Sequence, residues 1–264
     1  NFATLYPRWG KKIHEEGYLI CHGLLVELDK DLVLVDTGLG LLDIQKPKER
    51  LGRFFLWALQ PKLDKEETAY FQVQSLGYDP KDVSHIILTH LDLDHAGGLS
   101  DFPHAKVHIM DREYERALNP AFWDKMRYSS NQWAHRVQWH SYQTSGEPWY
   151  GFKCVRKLDS LPPEILFVPL WGHSYGHAGV AIRGPEKWIF HCGDAYFHWS
   201  EVDYKIPEIP PRLKFFEWWI ASNNQDRREN RERLFELKKK KVQEIQIFCS
   251  HCPVEFERIR KGDL

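Results

Sequence analysis

The run Thr89-His90-Leu91-Asp92-Leu93-Asp94-His95-Ala96-Gly97-Gly98 constrains this chain more than any other stretch. It directly follows Val83-Ser84-His85-Ile86-Ile87-Leu88, an apolar run of strand length, and four of the six side chains from His90 to His95 are of metal-ligand type. A buried strand that ends in a tight glycine-rich loop can fan such side chains around one point. Three further segments repeat the theme. His173 and His177 follow a strand ending near Pro169-Leu170, Asp194 follows Trp188-Ile189-Phe190, and His251 follows Ile245 to Phe248. Each puts a ligand type at the C-terminal end of a strand, where open α/β sheets place their sites.

The rest of the chain alternates strand and helix patterns. Leu24 to Leu28 and Leu32 to Val35, separated by Asp29-Lys30-Asp31, predict a hairpin. Lys46 to Leu76 is helical in pattern, with an interruption near Pro61, and Gly77 is a helix stop. Lys106 to Met110, Ile165 to Pro169, Val180 to Arg183 and Lys187 to His191 predict strands, and Asp111 to Leu118 and Gln225 to Lys241 predict helices. The alternation predicts one α/β domain spanning 1–264. Asn119 to Phe152 differs: it is rich in aromatic residues without a clean period, which predicts a lid or pocket wall. Trp133 and Trp139 are its candidate substrate-pocket residues. With Phe54, Phe55, Trp57 and Phe215-Phe216-Glu217-Trp218-Trp219, some of these aromatics are expected to line an apolar cleft and others to form a homodimer contact.

The order Asp36-Thr37-Gly38, then His90 to His95, then Gly172-His173-Ser174-Tyr175-Gly176-His177, then Gly193-Asp194, then His251 resembles that of the metallo-β-lactamase superfamily, from about Leu19 onward. Size, the short Gly97-Gly98-Leu99 and the aromatic-rich segment are similar to its acyl-homoserine lactonase-like branch. The resemblance implies a four-layer αββα sandwich with a dinuclear metal site at one edge. One divalent ion would take His90, Asp92 and His173, the other Asp94, His95 and His251, with Asp194 bridging the two. Asp36 and His177 would support the ligands from behind. Asp94, as a ligand, and Tyr196, as a hydrogen-bond donor to a developing oxyanion, are the candidate catalytic residues. An aromatic simply packing under the lid is the competing reading of Tyr196.

Asp92 departs from the family pattern, which has histidine there. A carboxylate is a harder, charged ligand. Asp92, Asp94, Asp194 and a bridging hydroxide together cancel the charge of two divalent ions, whereas histidine in place of Asp92 would leave one positive charge. Zinc is the expected metal, with a tilt toward iron or manganese because of Asp92. Two readings of Asp92 stay open: a ligand, or the holder of a water beside a single tight metal. The expected chemistry is attack by a metal-bridging hydroxide on a lactone or other ester carbonyl.

Composition narrows the partners. With 36 basic against 37 acidic side chains, the net charge of -1 gives no general pull toward nucleic acid or anionic membrane. No apolar run approaches a membrane span. Five scattered cysteines do not read as a disulfide framework, and no basic-then-apolar leader is read, so the reducing cytoplasm is the expected compartment. Cys249-Ser250-His251-Cys252 closes a strand instead of opening a helix, which favours buried thiols over a redox pair. The expected partner is a small molecule with an apolar part. A thioesterase of the hydroxyacylglutathione hydrolase type, a phosphoesterase and a non-catalytic metal-binding scaffold are the alternatives.

Overall fold

Strand residues here alternate between two apolar surroundings, which is why their sequences read as continuous apolar runs. Val33 and Val35 pack with Ile87, Phe167 and Val180 in one cluster, while their neighbours Leu32 and Leu34 pack with Val73, Val107 and Ala117 in another. A strand with opposite faces buried in this way must lie between two layers. In the computed structural model, which describes residues 1–8, 17–29, 31–155 and 157–262, those layers are two sheets face to face with helices outside both.

Strands β1 (Thr4–Leu5) and β2 (Leu19–Ile20) form a short antiparallel ribbon. The first large sheet contains β3 (Leu24–Glu27), β4 (Leu32–Val35), β5 (Val83–Ile87), β6 (Lys106–Met110) and β7 (Gln138–Tyr142), side by side in that order. Its first pair is the expected hairpin, whose turn residue Lys30 lies outside the described residues, and the other pairs are parallel. The second sheet contains β8 (Ile165–Pro169), β9 (Ala178–Arg183), β10 (Trp188–His191) and β11 (Ile245–Phe248), in the order β11-β10-β9-β8. Helices Ala69–Ser75 and Asp111–Leu118 cover the outer face of the first sheet, and Asn224–Lys241 covers that of the second through Leu234 and Leu237. The result is the four-layer αββα sandwich.

The helical stretch 46–76 is divided into Pro47–Arg50, Gly52–Leu59 and Ala69–Ser75. The second ends at Gln60, whose φ of 44° turns the chain one residue ahead of Pro61. The aromatic segment 119–152 carries regular structure of its own. It holds two short 3₁₀ turns and then β7, which extends the first sheet by parallel pairing along β6. A last helix, Pro253–Lys261, has no counterpart in the sequence-based expectation. Among the described residues no helix is long and apolar enough to cross a membrane.

Candidate metal centre

The loops after β4, β5, β10 and β11, and the one between β8 and β9, all open at the same edge of the sandwich. His90 and Asp92 follow β5 as extended chain, and Asp92 precedes the helical turn Leu93–Ala96 that carries Asp94 and His95. Gly193 (φ 54°) turns the backbone after β10 so that Asp194 points inward. A Cβ at Gly193 would lie 2.5 Å from His177 Nε2, so no larger residue fits there without displacement.

The seven side chains expected as ligands converge. Asp194 Oδ2 lies 2.9 Å from His251 Nε2, 3.5 Å from His173 Nε2 and 3.8 Å from His90 Nε2, while its Oδ1 lies 3.3 Å from His95 Nε2. Asp92 Oδ2 is 3.1 Å from His173 Nε2 and 3.4 Å from His90 Nε2. Asp94 Oδ2 is 3.7 Å from His251 Nε2 and 4.0 Å from His95 Nε2. His90, His173 and Asp194 form one group of metal-ligand geometry, and His95, Asp194 and His251 another, with Asp194 common to both.

Three of the four cluster histidines are held from behind by their other nitrogens, while His173 Nδ1 is buried without a hydrogen-bond partner. His95 Nδ1 is 2.9 Å from Asp36 Oδ2, and Asp36 also accepts the backbone N–H and the hydroxyl of Thr89, each at 2.8 Å. His251 Nδ1 donates to the carbonyl of Ile20 at 2.6 Å, and His90 Nδ1 meets Thr89 Oγ1 at 2.9 Å. In each case Nε2 remains free to face the cluster, which is how metal-binding imidazoles are usually oriented. His177 stands apart. Its Nδ1 donates to Leu170 O and its Nε2 accepts the Asp194 N–H, both at 2.8 Å, so neither nitrogen is left for a metal.

The donor set suits divalent ions. His90 Nε2 and Asp194 Oδ1 are buried without a hydrogen-bond partner, a costly state that a metal would relieve. Burial lowers the basicity of His95 and His251, yet the surrounding carboxylates together more than reverse it and raise both, Asp194 first, then Asp36 and Asp94 at His95 and Asp94 at His251, so this carboxylate-rich pocket draws positive charge. Burial, with Arg127 nearby, pushes His173 down to about 4, which keeps its lone pair available at neutral pH.

Three residues that sequence reasoning did not single out complete the surroundings. Arg127 Nη1 lies 3.3 Å from Asp92 Oδ1 and donates to the carbonyl of His173 at 3.0 Å, while Nη2 donates to that of Ile220 at 2.6 Å. Burial pushes the Asp92 carboxyl up, but Arg127 and then His90 outweigh it and hold it well below the usual range. The expected charge balance therefore gains one positive charge beside the aspartate that replaces histidine. Glu113, fully buried on the helix Asp111–Leu118, accepts from Leu91 N (3.1 Å), Tyr128 Oη (3.0 Å), Ser174 Oγ (2.8 Å) and Gly176 N (2.8 Å). It thus ties the His90 loop to the His173 loop. The third, Cys21, places its thiol 3.6 Å from Asp94 Oδ2. No local signal marks any of the three, because each acts across a large sequence separation.

A cleft of about 510 Å³ opens over the cluster, with Asp92, Asp94, Asp194 and His251 at its floor. Phe54, Phe55, Met126, Phe197, Phe216 and Trp219 supply much of its apolar wall. Two sequence-based expectations are corrected here. Trp133 and Trp139 are not among the lining residues; both pack against the outer core of the first sheet, Trp139 with its ring 5.2 Å from that of Tyr114. Tyr196 is fully buried in the outer core of the second sheet and donates its hydroxyl to Glu255 at 3.0 and 3.2 Å, so it cannot reach an oxyanion in the cleft. Its neighbour Phe197 faces the cleft instead, stacked 4.9 Å from the His251 ring, and offers no donor.

Residues 17–245 match the family model of the metallo-beta-lactamase superfamily. A protein named "probable metallo-hydrolase" from Mycobacterium tuberculosis is 39% identical over 243 residues, 92% of this chain and 77% of that protein. An N-acyl homoserine lactonase from Bacillus thuringiensis is 33% identical over 161 residues, 60% of this chain and 56% of that one. Among solved structures, an N-acyl homoserine lactone hydrolase with N-hexanoyl-L-homoserine at its catalytic metal centre superposes with a TM-score of 0.70 at 20% identity, over 97% of this chain and 92% of the other. That likeness extends the agreement in fold to nearly the whole length. With the ordered motifs, the converging histidines and aspartates and the family match in hand, the chain belongs to the metallo-β-lactamase superfamily.

Proposed function

We propose that this chain is a metal-dependent hydrolase of a small ester, a lactone in the first place, whose substrate carries an apolar tail. The observation behind the reading is that seven side chains of metal-ligand type converge, four of them at the floor of a cleft with aromatic walls. The donor set, two imidazole-rich ends sharing one carboxylate, suits two divalent ions, with zinc the first choice. When bound, such ions supply Lewis acidity and a nucleophile from water near neutral pH.

The chain's own residues do the remaining work. His90 and His173 present Nε2 from one side and His95 and His251 from the other, while Asp194 reaches both groups. Arg127, held by two carbonyls, keeps a positive charge beside Asp92 at the cleft floor. The aromatic wall excludes water and rewards an alkyl tail by about 0.8 kcal/mol per buried methylene. The lactonase relatives, matched over about half of this chain, support the choice of a lactone.

The test is to strip the purified protein with a chelator, reload it with zinc, manganese or iron, and offer lactones of increasing acyl length, thioesters and phosphoesters. Hydrolysis should vanish on stripping, return with zinc, and be fastest on long-tailed lactones. A preference for thioesters or phosphoesters would reassign the substrate class. Undiminished activity in metal-free protein would end the reading altogether.

A further inference from the structure

Of the five cysteines, four (Cys154, Cys192, Cys249 and Cys252) are packed in the outer core of the second sheet. Cys21 is different. It follows β2, and that stretch of chain is stitched to the His251 loop on both sides of the thiol. The carbonyl of Ile20 accepts from His251 Nδ1 at 2.6 Å, and the N–H of His22 donates to the carbonyl of Ser250 at 2.8 Å. These bonds set Cys21 against the ligand cluster, where its Sγ lies 3.6 Å from Asp94 Oδ2. Cys21 Sγ, a carboxylate oxygen of Asp94 and a ring nitrogen of His251 all lie within 4.8 Å of one another. On the same side, Asp194 Oδ1 is buried with no hydrogen-bond partner, 3.3 Å from His95 Nε2.

The bland account is a small buried thiol with a weak S–H···O contact to Asp94. It explains the packing, but not why the thiol is set within ligand distance of Asp94 and His251 together. A cation among Cys21, Asp94 and His251 accounts for that placement, because a thiol that meets a divalent ion loses its proton and becomes a strong, soft ligand. The two ends of the centre also differ in donor chemistry. The His90–His173 end has imidazoles and the carboxylates Asp92 and Asp194, with no sulfur near it in the ligand groups. The His251 end alone has sulfur within reach, and soft thiolate ligands favour zinc over magnesium, calcium or manganese.

We propose that Cys21 supplies a sulfur ligand to a metal held by Asp94, His95 and His251, and that this makes the His251 end the zinc-selective half of the centre. The inference rests on the metal-binding reading of the cleft floor, and cobalt(II) separates the two. The metal-stripped protein is loaded with cobalt and its absorption recorded, since a thiolate on cobalt gives a charge-transfer band in the near ultraviolet that imidazoles and carboxylates do not. Wild type should show the band, whereas Cys21→Ser and Cys21→Ala should lose it although the other four cysteines remain. In competition with a chelator the variants should release one zinc at least tenfold more readily and hold the other as before. Visible cobalt bands without the charge-transfer band in wild type, or a band that persists in both variants, would overturn the role of Cys21 and leave the metal centre standing. A wild-type protein that takes up no cobalt would overturn the metal centre itself. The wild-type spectrum decides the matter even if a variant fails to fold.

Discussion

At the residue scale, the pairing of Asp92 with Arg127 is the feature that sets this centre apart from a histidine-rich one. A buried carboxylate so close to two imidazoles and a guanidinium is stabilised by all three, and each partner depends on the other. Asp92→Asn leaves Arg127 without its counter-charge, and Arg127→Gln leaves Asp92 without its own while freeing the carbonyls of His173 and Ile220. Each single change should lower the zinc retained after dialysis. The double variant should lose less than the sum of the two, with a coupling of about 1 kcal/mol or more from a double-mutant cycle on zinc affinity. Strict additivity would mean that the two side chains act independently.

At the scale of elements, Glu113 is the joint between two loops that the chain separates by about eighty residues. Four donors converge on its two carboxyl oxygens inside a fully buried space, and removing the acceptor strands all four. Glu113→Ala should cost about 3 kcal/mol or more in urea unfolding and lower zinc retention, because Leu91 and Ser174 adjoin His90 and His173. Glu113→Gln, which keeps one acceptor oxygen, should lose roughly half as much. Equal stability of all three proteins would show that the loops hold themselves. The helix carrying Glu113 is expected from the sequence, but its buried acidic residue is not. Nothing in its period distinguishes this acidic residue, facing the loops, from Glu115 beside it.

At the scale of the whole molecule, the cleft is assembled from elements far apart in sequence, chiefly the helices Gly52–Leu59 and Pro211–Ile220. Phe216→Ala should therefore raise KM for a long-tailed substrate about tenfold, equivalent to ~1.4 kcal/mol of lost apolar contact, with kcat little changed. Trp139→Ala should leave both constants alone and lower stability instead. Steady-state kinetics across tail lengths checks both.

Acid sensitivity is another property of the whole chain, and one contribution to it arises away from the cleft. The rings of His85, His108 and His140, on β5, β6 and β7, stack in a row, 5.1 and 5.6 Å apart. His108 lies 2.8 Å from both His85 Nδ1 and Tyr142 Oη, and His140 is paired with Asp159 at 3.2 Å. Burial first, then His85, His140 and Lys106, push His108 down to about 3. In the unfolded chain the same imidazole takes its proton near 6.5. Between those values the unfolded state binds the extra proton, so stability falls as pH drops from about 6.5 toward 3, by about 1.4 kcal/mol per unit where the difference is complete. Urea titrations between pH 4 and 6 should show a slope shallower by about one proton in His108→Asn. An unchanged slope would place the acid sensitivity elsewhere.

Most strands, the hairpin and the helices Asp111–Leu118 and Asn224–Lys241 were legible in the sequence, because alternating burial and apolar period are local properties that the chain carries wherever it folds; Pro211–Ile220 and Pro253–Lys261 were not. The convergence of the seven side chains of metal-ligand type was legible too. Each sits at a strand's end, and strand order alone sends those ends to one edge. What the sequence could not determine was which way side chains turn once several elements compete for one space. Tyr196 and Phe197 are adjacent aromatics, yet Tyr196 turns into the outer core toward Glu255 and only Phe197 faces the cleft. Trp139, read as a wall, became part of an edge strand because β6 offered it a partner. Arg127, Glu113 and Cys21 reach the centre from separate elements. Their roles depend on distances set by the packing of two sheets and on the charge those sheets enclose, and no local spacing encodes either.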